Sequence, residues 1–346
     1  VRFGKSLASL AIATAAVFVQ PATAAEPLYR LVKTIPLGAP DRWDYAFFDA
    51  VGNRVYVAHG DRVTVVDAAT DTVVGQVEGT AGGSHGIAAY HAAGKGYTDD
   101  GKAGVALVFD LKTLKVLKTV KAEEDADGVV FDAASNHILV LDGDSGKVTV
   151  IDPKTDTVAA TIDVGGGLEF GVVDEHGKFF VDGSEKGEMV RIDTKTNKVD
   201  ARWPLAGCVK PHGLAIDRQT HRLFASCVNK VMAVVNADTG AIVAKLPIGE
   251  GTDFAVFDPV RKRAFSSNRD GTLSVIAEKD GDHFESLPPV TTALGARTMT
   301  IDPKSGWLYL VTGDYAVNEA VPESDPRHRY TVKPGTAKLL VFEPAK

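Results

Sequence analysis

The chain has 346 residues, 45% hydrophobic and 24% charged, which excludes general disorder; its two cysteines exclude a disulfide-built scaffold. Thirty-eight basic residues against 45 acidic ones give a net charge of −7 with no basic stripe, so nucleic acid is not an expected partner. The length admits two ordinary domains or one large repeat-built domain.

At the N-terminus, Arg2 and Lys5 lead an apolar run from Leu7 to Val19, followed by Pro21-Ala22-Thr23-Ala24-Ala25. A basic start, a short apolar stretch and a small-residue site predict a signal peptide over residues 1–25, cleaved after Ala24 or Ala25. The run is shorter than the roughly 20 residues a spanning helix needs, and no later segment is long and apolar enough. The mature chain is therefore expected to be periplasmic or secreted, with no membrane span.

From residue 26 to 346 one pattern recurs. Val63-Thr64-Val65-Val66-Asp67, Ala106-Leu107-Val108-Phe109-Asp110, Val148-Thr149-Val150-Ile151-Asp152 and Met189-Val190-Arg191-Ile192-Asp193 are alike, and Ala233-Val234-Val235-Asn236 continues the series. Their final Asp or Asn residues, 67, 110, 152, 193 and 236, lie 43, 42, 41 and 43 residues apart. Leu273-Ser274-Val275-Ile276 and Leu339-Leu340-Val341-Phe342 complete seven copies. Each copy carries four short runs rich in Val, Ile and Phe, separated by Asp, Gly and Asn turns. In the third these are 128–131, 137–141, 147–151 and 158–162. Such runs predict antiparallel strands, and no segment shows a sustained helical period. The predicted fold is all-β: a seven-bladed β-propeller with four antiparallel strands per blade, in a single domain over 26–346. The last copy stops after its third strand, and Tyr29–Gly38 resembles the fourth strand Ala241–Gly249. The N-terminal strand is thus predicted to complete the last blade and close the ring.

Arg54-Val55-Tyr56-Val57-Ala58-His59, then Val63 to Asp67 and Thr70-Asp71-Thr72-Val73-Val74, resembles the YVTN-type β-propeller repeat. Trp307-Leu308-Tyr309-Leu310-Val311-Thr312 is similar to a degenerate copy. The resemblance covers roughly residues 28–346. It implies a propeller of a family with surface, periplasmic and lactonase-like members, and it is specific for fold rather than activity. A WD40 reading fits less well, because no strand-ending Asp follows a Trp.

Many carboxylates fall at equivalent places and read as turn hardware. Asp67, Asp110, Asp152 and Asp193 end third strands, each with a Thr three residues on; Asp49, Asp132, Asp174, Asp217, Asp258 and Asp302 close first strands. Five residues before each first-strand closing position stand Asp44, His85, Asp127, Glu169, His212, Asp253 and Arg297. Each begins an innermost strand, so the seven are predicted to ring one channel mouth. The ring can be read as solvated lining and ion pairs, with Arg297 balancing Asp253 and Asp44, or as a ligand site. The sharper version has His85, Asp127, Glu169 and His212 holding one divalent metal or supplying a general base. Trp43 and Tyr45 flank Asp44 as an aromatic wall or as packing against the next blade. The second-to-third-strand loops, with His59, Asp99, Asp142, Asn268 and Arg269, are expected on the same face.

Cys208 and Cys227 fall at the same end of the fifth copy, and export predicts a disulfide between them beside His212. Gly313–Ala337 interrupts the last copy with Tyr315, Glu323, Asp325, Arg327, His328 and Arg329, as a lid, a partner contact or a tolerated insertion. No haem-attachment, zinc-protease helix, nucleophile-elbow or Walker motif occurs. The leading expectation is a monomeric binding module taking a small-molecule ligand or a periplasmic protein through its top face. The alternative is a metal-dependent, lactonase-like hydrolase or lyase.

Overall fold

The computed structural model describes residues 27–322 and 325–345, with Val1 and Gly4; the predicted leader over 1–25 otherwise lies outside the described residues. Seven four-stranded antiparallel sheets make the molecule. Blade 1 contains Ala46–Asp49, Arg54–His59, Arg62–Asp67 and Thr72–Glu78. Blade 3 contains Ala126–Asp132, His137–Asp142, Lys147–Asp152 and Thr157–Asp163, within two residues of the ends predicted from the sequence. Blades 2, 4, 5 and 6 repeat the arrangement, their innermost strands being Ile87–Tyr90, Gly171–Val173, Pro211–Asp217 and Thr252–Asp258. Blade 7 is composite. Thr298–Ile301, Leu308–Thr312 and Lys338–Pro344 are joined at the outer edge by Tyr29–Pro36, which pairs antiparallel from Tyr29 opposite Pro344 to Pro36 opposite Lys338. Each innermost strand contacts the next, and that of blade 7 contacts that of blade 1, so the ring is closed.

The blades cohere because their second and third strands are apolar on both faces. Arg54–His59 and Arg62–Asp67 are buried except at their ends, whereas the outer strand Thr72–Glu78 is largely exposed. Between blades 7 and 1, Val55 and Val57 pack on Tyr309, Val311, Leu339 and Val341. Each such side chain, removed from water, contributes about 1.5–3 kcal/mol.

Turn chemistry explains the repeated aspartates. Asp67 accepts the N–H groups of Ala69 and Thr70 at 2.9 Å, Asp110 and Asp193 accept the N–H groups of Thr113 and Thr196, and Asp152 accepts the Thr155 hydroxyl at 3.4 Å. Asp71 and Asp156 close two of these turns in the left-handed region, at φ 55 and 52, which short polar side chains tolerate. The innermost-strand set does the same work: Asp132 accepts from Ala134 and Ser135, and Asp258 from Val260 and Arg261.

Candidate ligand-binding mouth

Five of the seven ring residues, Asp44, Asp127, Glu169, His212 and Asp253, owe their direction to a backbone irregularity. In blades 3, 5 and 6 the ladder skips one residue, between Ala126 and Gly128, Pro211 and Gly213, and Thr252 and Phe254. The skipped residues are Asp127, His212 and Asp253. In blade 1, Asp44 N–H donates to the Ala58 carbonyl at 2.9 Å while Ala58 N–H donates to Tyr45 at 3.0 Å, so two residues face one. Glu169 and Phe170 face Asp182 in the same way. A β-bulge of this kind re-aims a side chain away from the sheet, here toward the axis.

The structure brings the seven together. His212 Nε2 lies 3.5 Å from Glu169, His85 Nδ1 lies 3.8 Å from Asp127, and Arg297 forms an ion pair with Asp253. Burial first, and then the charge of Asp253, push the Asp44 carboxyl up to about 6 against the pull of Arg297 and His85. Burial and the charges of Asp253 and Asp44 push Glu169 up to about 8. Burial and Asp44 also hold Asp127 well above the usual carboxylate range.

Behind the ring lie residues the sequence placed in loops. His59, Asp99, Asp142 and Asn268 instead belong to the second strands and are fully buried. Each second strand runs one or two residues past its apolar stretch before turning. Asp99 accepts His85 N–H at 2.8 and 2.9 Å and Gly86 N–H at 3.1 Å, and faces His85 Nδ1 at 3.2 Å. Burial disfavours the His85 cation, but the Asp99 hydrogen bond and the charges of Asp99, Asp127 and Asp44 outweigh it and raise its pKa to about 10. Asp182, at the equivalent place in blade 4, is fully buried with neither carboxylate oxygen partnered among the described residues, and burial, with the charge of Glu169, holds its carboxyl well above the usual carboxylate range.

Six of the seven residues that follow the ring are glycine or aromatic, Thr298 after Arg297 being neither. Gly86 and Gly213 let the neighbouring innermost strand approach, since a Cβ would meet Val129 N at 2.2 Å or Phe254 C at 2.4 Å. Tyr45, Phe170 and Phe254 come from blades that are not neighbours, yet their ring centroids lie 4.6–5.1 Å apart. They meet on the axis and plug the channel, making the mouth a blind cup. Tyr45 thus packs between blades, buried in one apolar cluster with Phe254 and Met299, and Trp43 is buried beside Tyr309 and Val311 of blade 7. The sequence signal for the plug was present: an aromatic directly after the ring residue in three copies.

A cavity of about 450 Å³ fills the cup, lined by Asp44, His85, Asp127, Glu169 and His212 together with Asp125, Asp144, Glu185 and Lys210. A second, of about 620 Å³, begins at His212 and Asp253 and runs outward past Glu250, Arg269 and Asp270 to Tyr330. Tyr330 belongs to the insertion, which forms a small hairpin of Tyr315–Val317 with Tyr330–Val332 beside the helical turn Pro326–Arg329. Asp325 receives His328 Nδ1 at 2.8 Å; Glu323 lies outside the described residues. Cys208 and Cys227 are disulfide-bonded in blade 5.

The proposed four-residue metal set is not assembled. Among the described residues no three His, Cys, Asp or Glu side chains form a metal-holding group. The reason is that each imidazole is engaged on its own side of the ring, His85 by Asp99 and His212 by Glu169.

Fold and mouth together define a seven-bladed β-propeller with an ionisable, blind-ended mouth. No family model matches the chain. An uncharacterized protein, YncE, of Salmonella typhimurium (strain LT2) is 32% identical over 184 residues, 49% of this chain and 51% of the relative. YncE of Salmonella typhi is 31% identical over 184 residues, with the same shares. The chain spans about half the length of the curated relatives it matches. Among solved structures, a chain of the mitotic checkpoint complex superposes with a TM-score of 0.73 at 14% identity, over 96% of this chain and 99% of that one. Hydrazine synthase of Kuenenia stuttgartiensis superposes with a TM-score of 0.66 at 14% identity, over 79% and 93%. At such identity these likenesses concern the fold alone. No helix among the described residues is long and apolar enough to cross a membrane.

Proposed function

We propose that the protein is a binding module that takes a small-molecule ligand or a partner protein at its ringed mouth. One observation carries the reading: five blades each bring one ionisable ring residue, Asp44, His85, Asp127, Glu169 and His212, to the lining of a cavity of about 450 Å³. Surface polarity alone does not account for it, because burial has displaced the affinities of Asp44, Asp127 and Glu169 for protons. Concave sites with a few convergent polar groups are where proteins hold ligands. The half-length match to YncE supports a bacterial propeller of the YVTN type, and the Cys208–Cys227 bond supports an oxidising compartment such as the periplasm. The hydrolase reading takes second place, since its metal set is dispersed.

The test is a thermal-shift screen of metabolites and a pull-down of periplasmic proteins, run with the wild type, His212→Ala and Asp127→Asn/Glu169→Gln. A ligand or partner kept by the wild type and lost by the ring variants supports the reading. Retention by every variant sinks it. Stoichiometric metal in the purified protein, with turnover lost in His85→Ala/His212→Ala, would transfer the site to the hydrolase.

A further inference from the structure

At the other end of the blades from the mouth, two neighbouring crevices are built alike except for one group. Between blades 2 and 3, the Tyr97 hydroxyl donates to Asp156 at 2.5 Å. Lys95 Nζ pairs with the same carboxylate at 2.6 Å and donates to the Pro153 carbonyl at 3.1 Å. Asp156 is the left-handed residue of the turn Asp152-Pro153-Lys154-Thr155-Asp156, and its N–H returns to the Asp152 carbonyl at 2.8 Å. Between blades 1 and 2 the same parts recur. Arg54 and Tyr56 stand first and third in their second strand, as Lys95 and Tyr97 do in theirs. Arg54 Nη1 donates to the Leu111 carbonyl at 2.7 Å, as Lys95 does to Pro153. The turn is Asp110-Leu111-Lys112-Thr113-Leu114, closed by Leu114 N–H on the Asp110 carbonyl at 2.8 Å. Only the carboxylate differs: Leu114, at φ 61, holds the place of Asp156.

The exchange leaves a buried hydroxyl with nothing to bind. Tyr56 is 1% exposed, and its hydroxyl has no hydrogen-bond partner among the described residues. Burial raises its pKa against the pull of Arg54 beside it. Tyr56 lines a cavity of about 280 Å³ together with Arg54, His91, Leu111 and Lys112. The carboxylate in that lining, Asp49, is already engaged by Val51 N–H at 3.1 Å and faces His91 Nε2 at 2.7 Å. Lys112 forms no ion pair among the described residues. An unpaired buried hydroxyl is a cost that a ligand can remove.

We propose that the crevice between blades 1 and 2 binds a carboxylate ligand, held by the Tyr56 hydroxyl and the Arg54 guanidinium as Asp156 is held by Tyr97 and Lys95. A carboxylate offers two acceptor oxygens and no donor, which suits a phenol and a guanidinium that have only donors to give it. Lys112 supplies a partner for a second carboxylate on the same ligand, so the class is a dicarboxylate. Free dicarboxylic acids and adjacent acidic side chains of a peptide present the same chemistry. The site is separate from the mouth and does not depend on the reading given to it.

Titration calorimetry of the purified protein with succinate, succinamide, a capped diglutamyl peptide and inorganic phosphate tests this. Succinate, the peptide or both should bind saturably, and succinamide, which has no carboxylate, should not. Tyr56→Phe and Arg54→Gln should each weaken binding by about tenfold or more, as loss of a charge-assisted hydrogen bond implies. Leu114→Asp should abolish it, because the chain then supplies the carboxylate itself. Asp127→Asn/Glu169→Gln, at the mouth, should leave it unchanged. Circular dichroism and melting temperature establish that each variant is folded; if Leu114→Asp is not, Tyr56→Phe and Arg54→Gln decide. Tighter binding of succinate places the natural ligand among free acids, and tighter binding of the peptide places it on a protein. The inference is overturned if no carboxylate binds, if phosphate binds as tightly, or if folded Leu114→Asp binds like the wild type. Binding that survives both Tyr56→Phe and Arg54→Gln, or that is lost in the mouth variant instead, overturns it equally.

Discussion

Asp99 and Asp182 stand at the same place in blades 2 and 4, one residue before the end of the second strand. Asp99 holds two backbone N–H groups and an imidazolium; Asp182 holds nothing among the described residues. The two should therefore respond oppositely to loss of charge. Asp99→Asn is expected to cost about 1.5–3 kcal/mol, the range for hydrogen bonds to charged groups, and to let the His85 pKa fall from about 10 toward 6.5. Denaturant unfolding and NMR titration of the imidazole measure both effects. Asp182→Asn is expected to be neutral or slightly stabilising, because burial and the charge of Glu169 already disfavour the ionised carboxylate. A destabilisation of Asp182→Asn matching that of Asp99→Asn would show that Asp182 is ionised and paired. The ring itself was legible at residue scale, since an equal offset in seven copies predicted Asp44, His85, Asp127, Glu169, His212, Asp253 and Arg297. The partners of Asp99 and Asp182 were not, because strand alternation tells which way a carboxylate points and nothing about which N–H groups meet it.

At the scale of elements, the strands were the most legible part of the chain and the bulges the least. Apolar runs fix where a strand lies, but a bulge adds one residue without changing that pattern, and it is the bulge that turns Asp127, His212 and Asp253 inward. Blade 5 combines such a bulge with a covalent tie. The Cys208–Cys227 bond spans 19 residues and joins the approach to Pro211–Asp217 to the end of Arg222–Cys227. Closing a loop of this size removes unfolded-state freedom worth about 3 kcal/mol. Reduction, or Cys208→Ala/Cys227→Ala, is expected to lower the melting temperature by a corresponding amount in calorimetry with and without reductant. No change would mean that blade 5 holds the His212 approach without the tie.

The whole molecule is a ring, and its acidity is divided between two environments. Asp67 and Asp193, at outer turns, are held low, Asp67 chiefly by the Thr70 N–H and Asp193 chiefly by Lys178. Those carboxylates are ionised in folded and unfolded chains alike above about pH 5, so they add no slope near neutrality. Burial instead raises Asp44 to about 6, Glu278 to about 7 and Glu169 to about 8, while His85 stands at about 10. Here the folded chain binds more protons than the unfolded one, so stability present at low pH is lost as pH rises through each folded value. The melting temperature is expected to fall between about pH 6.5 and 8.5, and Glu169→Gln should flatten the fall. A temperature that rises over that window would contradict the raised carboxylates. The net charge of −7 is therefore not one property: part of it is turn hardware, and part is a cup whose charge the fold itself suppresses. The sequence by itself determined the number of blades, their strands, the closing N-terminal strand and the ring of ionisable positions, because all of these are written as a period. Only the tertiary structure decided that the ring surrounds a cup rather than an open channel, and that its histidines serve separate partners. Those outcomes depend on side chains from non-adjacent blades meeting across the axis, a distance no repeat length encodes.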